Sequence, residues 1–261
     1  MKNNKRNIDI LCVGEVLVDF IGHQNDVLIN ETRDYHRYLG GSPANVAMNC
    51  KRLGLKSTMV SSVGNDGFGE YISKRLQEIG VNTANVKKLE NKSTSVIFVS
   101  RSNGTPDFIP YRNADNHIFD DQITTAMLSQ TKIFHTTCFA LSKNPAQTTI
   151  LKKAKEATEN GCKLSIDINY AKELWDCKEE ALKIIKTYCA LNPLIKISED
   201  DMLRLFEKEL PHQEIFDFFH NLGVDIVCLT LGSKGVKLSQ KSKEIIELAA
   251  IKIEKVMDTT G

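Results

Sequence analysis

Short apolar runs rich in β-branched residues alternate with segments of helical periodicity along most of this chain, and no other feature constrains its fold as strongly. Residues 8–13 form a strand-like run, 43–53 a helix-like one, 57–63 a second strand, and 67–79 a helix closed by Gly80. The pattern resumes with strand-like residues 133–136, 163–168, 194–197 and 226–231, separated by helix-like residues 145–159, 178–186, 199–206 and 212–221. Strands that alternate with helices are joined by crossover connections, so the expected core is a mostly parallel sheet with helices on its faces. Residues 226–231 are apolar enough to predict a strand buried on both faces. A chain of 261 residues has room for one large α/β core plus a small appendage, and not for two equal domains.

Two segments break the rhythm. Residues 27–39 lack helical periodicity, and residues 95–111 read as strand, Asn103-Gly104 turn, strand. Together they predict a small β layer standing off the core, spanning about residues 22–39 and 94–113 of a single 1–261 domain. The first segment leads directly into Gly40-Gly41. Two glycines accept backbone angles closed to other residues, so a sheet fastened through them is suited to act as a lid.

The same glycines open a helix. Ser42 is placed to cap it, Pro43 to occupy its first turn, and Gly54 to lie just past its end. Ala44, Val46, Ala47, Cys50 and Leu53 form the predicted buried stripe. Asn45 lies off that stripe near the helix start, where an amide that both donates and accepts suits a polyhydroxylated ligand.

Charge and cysteine usage exclude several functions. With 34 basic and 33 acidic residues the formal charge is +1, so no electrostatic footprint for nucleic acid or an anionic membrane is expected. Seven dispersed cysteines, with no C-x-x-C pair, read as reduced thiols rather than a disulfide frame or a zinc site. The basic start and apolar residues 8–21 imitate a signal peptide, but Asp9, Glu15 and Asp19 interrupt the run. No stretch is long enough to span a bilayer, and the expected location is cytoplasmic.

Four groups could carry chemistry. Asp19 ends an early apolar segment, and ligands of parallel α/β sheets gather at the carboxyl ends of strands. Thr230-Leu231-Gly232-Ser233-Lys234-Gly235 follows an apolar strand, where glycines let a backbone approach a nucleotide; an ordinary hairpin into strands near 237–238 and 245–248 is the plainer reading. No G-x-x-x-x-G-K-[ST] occurs, which excludes a P-loop enzyme, and no G-x-G-x-x-G follows the first strand, which disfavours a dinucleotide-binding dehydrogenase. Ser198 and Asp201 sit three apart at a helix start, suited to capping or to water-mediated contact with magnesium. Arg112, in the polar burst Tyr111-Arg112-Asn113-Ala114-Asp115, could reach an anionic or hydroxyl-rich substrate.

Taken in order, Asp19, Gly40-Gly41-x-x-x-Asn45, Val63-Gly64-x-Asp66-x-x-Gly69, Thr230-Leu231-Gly232-x-x-Gly235 and Asp258-Thr259-Thr260-Gly261 resemble the ribokinase-like, or PfkB, family of sugar kinases over essentially the whole chain. The resemblance implies a three-layer α/β/α core with a mostly parallel central sheet and a small β-sheet lid. It implies sugar contacts at Asp19, Gly40, Gly41, Asn45 and Arg112. It implies nucleotide contacts at Ser198, Thr230, Gly232, Gly235 and Gly261, with ATP and Mg2+ as cofactors. Asp201 would meet Mg2+ through water, and Asp258 and Thr260 match positions that bind a monovalent cation, which makes K+ a further expected cofactor. Asp167-Ile168-Asn169-Tyr170 resembles a D-x-N-Y-R segment, with Ala171 in place of the arginine.

Fructose is the first expected substrate, with 2-keto-3-deoxygluconate and 5-dehydro-2-deoxygluconate as alternatives whose carboxylates Arg112 would suit. A homodimer through the lid is a further expectation of the family. In the family D-T-x-G continues as A-G-D, whose aspartate is the general base, and this sequence stops at Gly261. Loss of a general base removes about 10²–10⁴-fold in rate, so the 261 residues alone are expected to be nearly inactive. An incompletely represented kinase is the preferred explanation, and a sugar- or nucleotide-binding regulator without catalysis the alternative.

Overall fold

The structure is a computed structural model describing residues 6–101 and 108–252. Thirteen strands among these residues form two sheets. The chain runs β1 (Ile8–Val13), β2 (Leu17–Asn25), β3 (Tyr35–Gly40), α1 (Ser42–Arg52), β4 (Ser57–Gly64), α2 (Gly67–Ile79), β5 (Asn82–Leu89), β6 (Val96–Arg101) and β7 (Phe108–Tyr111). It continues through α3 (Thr125–Ser129), β8 (Thr131–Thr137), α4 (Ala146–Glu159), β9 (Lys163–Asp167), α5 (Lys178–Cys189), β10 (Leu194–Ser198), α6 (Glu199–Phe206) and α7 (His212–Asn221). The strands β11 (Ile226–Thr230), β12 (Val236–Gln240) and β13 (Ile246–Leu248) complete it.

The large sheet has the order β13-β12-β11-β10-β9-β8-β1-β4-β5. It is parallel from β5 to β11, and β12 and β13 return antiparallel. The expected parallel core is therefore present, and the glycine loop after β11 is also the hairpin that the plainer reading predicts. The small sheet has the order β3-β2-β6-β7. Its predicted segments pair as expected, but β2 joins them, and the Asn103-Gly104 turn lies outside the described residues.

Local sequence explains the best-placed helices. Asp66 caps α2 by accepting from the backbone N–H groups of Phe68 and Gly69, and Gly80 ends it in the left-handed region at φ 85°. Ser198 and Asp201 form a reciprocal capping box at the start of α6. No described helix is long and apolar enough to cross a membrane.

Three expectations need correction, and one strand, β5, has no counterpart in the sequence pattern. The residue capping α1 is Gly41, and Ser42 is already helical and makes no side-chain cap. The buried face of α1 is Pro43, Ala44, Ala47 and Met48; Leu53 follows the last helical turn and is 80 % exposed. β11 is buried on one face only: Val227 and Leu229 are enclosed while Ile226, Cys228 and Thr230 keep partial exposure, following the pleat. β5 carries no apolar run at all, because it is an edge strand with much of its length exposed, and edges tolerate polar residues such as Asn82, Lys87 and Lys88.

Candidate active site

The carboxyl ends of β1, β8, β9 and β10, with the segments that follow them, face the small sheet across two cavities, and several candidate residues line these. β1 stops at Val13, and the chain passes through Gly14, Glu15 and Val16 into β2. Asp19 is consequently not a strand-end residue of the core; it lies within β2 of the small sheet, paired with Tyr38 and Ile97. From there it lines a cavity of about 400 Å³ together with Glu15, Gly41, Asn45, Asp167 and Lys196. Asp19 and Ile97 also border a larger hollow of about 710 Å³ that reaches Val99 and Phe108 on one side and Lys172 and Arg204 on the other.

The two glycines have separate duties. A Cβ on Gly40 would overlap the Asp19 carboxylate, so Gly40 makes room for that group rather than for a ligand directly. Gly41 takes φ 103°, a left-handed conformation that favours glycine, and a Cβ there would press on the Glu15 carbonyl. The helix that follows is anchored from outside. The Ser42 N–H donates to Glu15 Oε1 at 3.2 Å, and the Ser42 hydroxyl donates to Asp167 Oδ2 at 3.1 Å. Asn45, one turn into α1, projects into the cavity so anchored.

A chain of charges extends from the cavity toward α6. Asp167 and Lys196 are register partners on β9 and β10, which places their side chains together, and they form an ion pair at 3.0 Å. Lys196 is also 3.8 Å from Asp201. Burial works against the Lys196 ammonium, but Asp167 and Asp201 outweigh it and raise its pKa. Burial pushes the Asp201 carboxyl up, while Ser198 and Lys196 oppose that shift. Both Asp201 oxygens already carry donors, Ser198 on Oδ2 and Arg204 at 3.1 Å on Oδ1. Asp201 is thus poor for direct metal coordination and compatible with contact through water.

Ser198 and Thr230 are neighbours in register at the ends of β10 and β11. Gly232 follows at φ 55° with open space where a Cβ would stand, and can let a ligand approach. Gly235 differs: a Cβ there would overlap the Leu248 carbonyl, so its glycine serves the packing of β13. Gly261, Asp258 and Thr260 lie outside the described residues.

Arg112 does not join the site as expected. Its Nε and Nη2 donate to Asp115 Oδ2 at 2.9 and 2.6 Å, Nη1 donates to the Phe139 carbonyl and the Ser142 hydroxyl, and the guanidinium stacks on the Phe139 ring. The side chain is 7 % exposed, and it borders neither cavity. Glu15 and Lys196, by contrast, stand in the site without any motif that points to them. Each is an ionisable residue inside an apolar run, Val13 to Val18 and Leu194 to Ile197, and that costly placement is the signal that could have found them.

A doubly wound sheet whose strand ends face a small second sheet across a polar cleft is the ribokinase-like arrangement, and it defines the class. The chain belongs to the pfkB family of carbohydrate kinases, whose family model matches residues 7–261. An ATP-dependent 6-phosphofructokinase of Thermoanaerobacterium thermosaccharolyticum is 37% identical, over 98% of this chain and 78% of that protein. The structure of Halothermothrix orenii fructokinase superposes with a TM-score of 0.86 at 34% identity, covering 94% of this chain and 86% of that one. A sugar kinase of Pyrococcus horikoshii in complex with ATP superposes with a TM-score of 0.80 at 28% identity, covering 94% and 78%.

Proposed function

We propose that this sugar kinase transfers the γ-phosphoryl group of ATP to a primary hydroxyl of fructose. The observation that carries the reading is the cavity in which Asp19 and Asn45 converge on the glycine joint while Asp167 and Lys196 lead away toward Ser198 and Thr230. Carboxylate and amide together accept from and donate to sugar hydroxyls. The nucleotide lies over Gly232 beside Ser198 and Thr230, with Mg2+ held through water near Asp201; the metal supplies charge neutralisation for phosphoryl transfer. The small sheet is the lid, turning on Gly40-Gly41 and excluding water from the cleft. Likeness to the Halothermothrix fructokinase supports fructose. The burial of Arg112 against Asp115 removes the cation that favoured a sugar acid.

Fructose 6-phosphate is a second reading, favoured by the identity to the 6-phosphofructokinase and by Lys172 and Arg204, which border the hollow beside Asp19 and could meet a phosphate. Calorimetric titration with fructose and with fructose 6-phosphate, each with a non-hydrolysable ATP analogue and Mg2+, separates the two. Fructose binding that Asp19→Asn abolishes supports the first reading. Selective binding of the phosphorylated sugar, lost in a Lys172→Ala, Arg204→Ala double variant, supports the second; binding of neither sugar rejects both. Comparison of nucleotide affinity in K+ and Na+ buffers tests the monovalent cation, and sedimentation tests a homodimer through the small sheet, whose Ile109 and Tyr111 are exposed.

A further inference from the structure

Glu15 has no part in the reading above, yet it stands on the wall of the sugar cavity beside Asp19, Gly41 and Asn45. The residue is 2 % exposed. Its Oε1 accepts from the Ser42 N–H at 3.2 Å, and its Oε2 accepts from the Thr137 hydroxyl at 2.7 Å. The Thr137 oxygen itself accepts from the Ala140 N–H, which leaves its proton for Glu15. The Glu15 N–H also bonds the carboxyl group, and all three donors are neutral. A buried carboxylate with only neutral donors is far costlier than the corresponding acid.

The charges around it do not cancel that cost. Arg112 and Asp115 act on Glu15 in opposite directions, and Asp19, Asp167 and Lys196 share the cavity wall. Cys138, the residue after Thr137, has its thiol pushed up by burial, and α1 presents only Ser42 and Asn45 to the cavity. Burial dominates and pushes the Glu15 carboxyl up to about 8.

We propose that Glu15 is a sugar-binding residue that holds a proton and donates it in a hydrogen bond to a sugar oxygen, opposite the accepting carboxylate of Asp19. Ser42, Thr137 and the Glu15 N–H take three of the four hydrogen-bonding sites of the carboxyl group, and the proton takes the fourth, which the proposal directs to the cavity that Glu15 lines. Two carboxyls in one pocket thus play different parts because their environments differ. This role for Glu15 rests on the sugar-kinase reading.

Calorimetric titration of the chain with fructose from about pH 6.5 to about pH 9.5 tests it. The dissociation constant of the natural chain should rise about tenfold between about pH 7 and about pH 9, as the proton is lost at ten-to-one per pH unit. Glu15→Gln, whose amide donates at every pH, should vary less than about twofold over that range. A protonated-carboxyl stretch in the infrared spectrum at neutral pH, absent in Glu15→Gln, should be present without any sugar. A flat profile in the natural chain, a sloping profile in a folded Glu15→Gln, or no such carboxyl band overturns the proposal while leaving fructose binding in place. Failure to bind fructose at any pH overturns the substrate reading and this inference with it.

Discussion

Arg112 and Asp115 form an ion pair within one turn of chain, two guanidinium N–H groups converging on one carboxylate oxygen, with both side chains almost fully enclosed. The Ser95 hydroxyl donates to the other Asp115 oxygen, and Phe139 and Ser142 complete the guanidinium shell. Removing one partner of such a pair strands a buried charge, so Arg112→Ala should destabilise the fold by about 3–5 kcal/mol. An Arg112→Met, Asp115→Leu double variant should recover most of that loss, as read by urea unfolding. A single variant that loses substrate affinity at unchanged stability would instead return Arg112 to the binding site.

Gly40 owes its identity to Asp19, whose carboxylate fills the space a Cβ would take. Gly40→Ala should therefore displace the carboxylate and weaken sugar binding about tenfold or more, an amount set by one lost hydrogen bond to a charged group. Nucleotide affinity, which the proposed reading assigns to groups near Ser198 and Thr230, should stay within about twofold. Equal losses in both affinities would show a general collapse of the cleft.

Elements whose ends carry their own signals are legible in the sequence. α2 and α6 begin at Asp66 and Ser198 and occupy the expected residues, because capping is decided within four positions. β5 is not legible, because an edge strand needs no apolar period. The site is legible only in part, and for a different reason. Ser42 reads as a cap in isolation, but its hydroxyl is taken by Asp167, 125 residues away. Arg112 reads as a substrate-facing cation because its burial depends on Phe139 and Ser142, which arrive from one segment 27 and 30 residues further along the chain. Local rules place a residue on its element; they do not say which distant group will meet it.

Asp66 joins α2 to the entrance of β6. Besides capping the helix, its carboxylate accepts from the Thr94 N–H at 2.8 Å and the Thr94 hydroxyl at 2.7 Å. That hydroxyl in turn accepts from the Gly64 N–H. Asp66→Ala should cost about 2 kcal/mol, above the usual value for a cap alone. Hydrogen exchange should show faster opening at residues 94–96 as well as in the first turn of α2. Loosening confined to the helix would mean that Thr94 does not depend on this carboxylate.

Two buried groups set opposing slopes in the dependence of stability on pH. Burial raises Glu15 from 4.5 to about 8, with the Thr137 hydrogen bond acting against it, and burial lowers His135 from 6.5 to about 4, with Asp167 acting against it. The folded state holds the Glu15 proton more tightly than the unfolded chain, so that contribution is complete below about pH 4.5 and is lost as pH rises to about 8. The folded state rejects the His135 proton, so its contribution is complete above about pH 6.5 and is lost as pH falls toward about 4. Between these limits the two slopes offset each other, and above about pH 6.5 only Glu15 acts. Unfolding free energy should fall by up to about 2 kcal/mol between about pH 6.5 and about pH 8, the span over which one proton separates the two states. Glu15→Gln should flatten that segment and leave a curve that rises from about pH 4 to about pH 6.5, whereas His135→Gln should leave one that falls from about pH 4.5 to about pH 8. Parallel curves for Glu15→Gln and the natural chain would mean that Glu15 titrates alike in the folded and unfolded states, and would remove the protonated carboxyl from the sugar cavity.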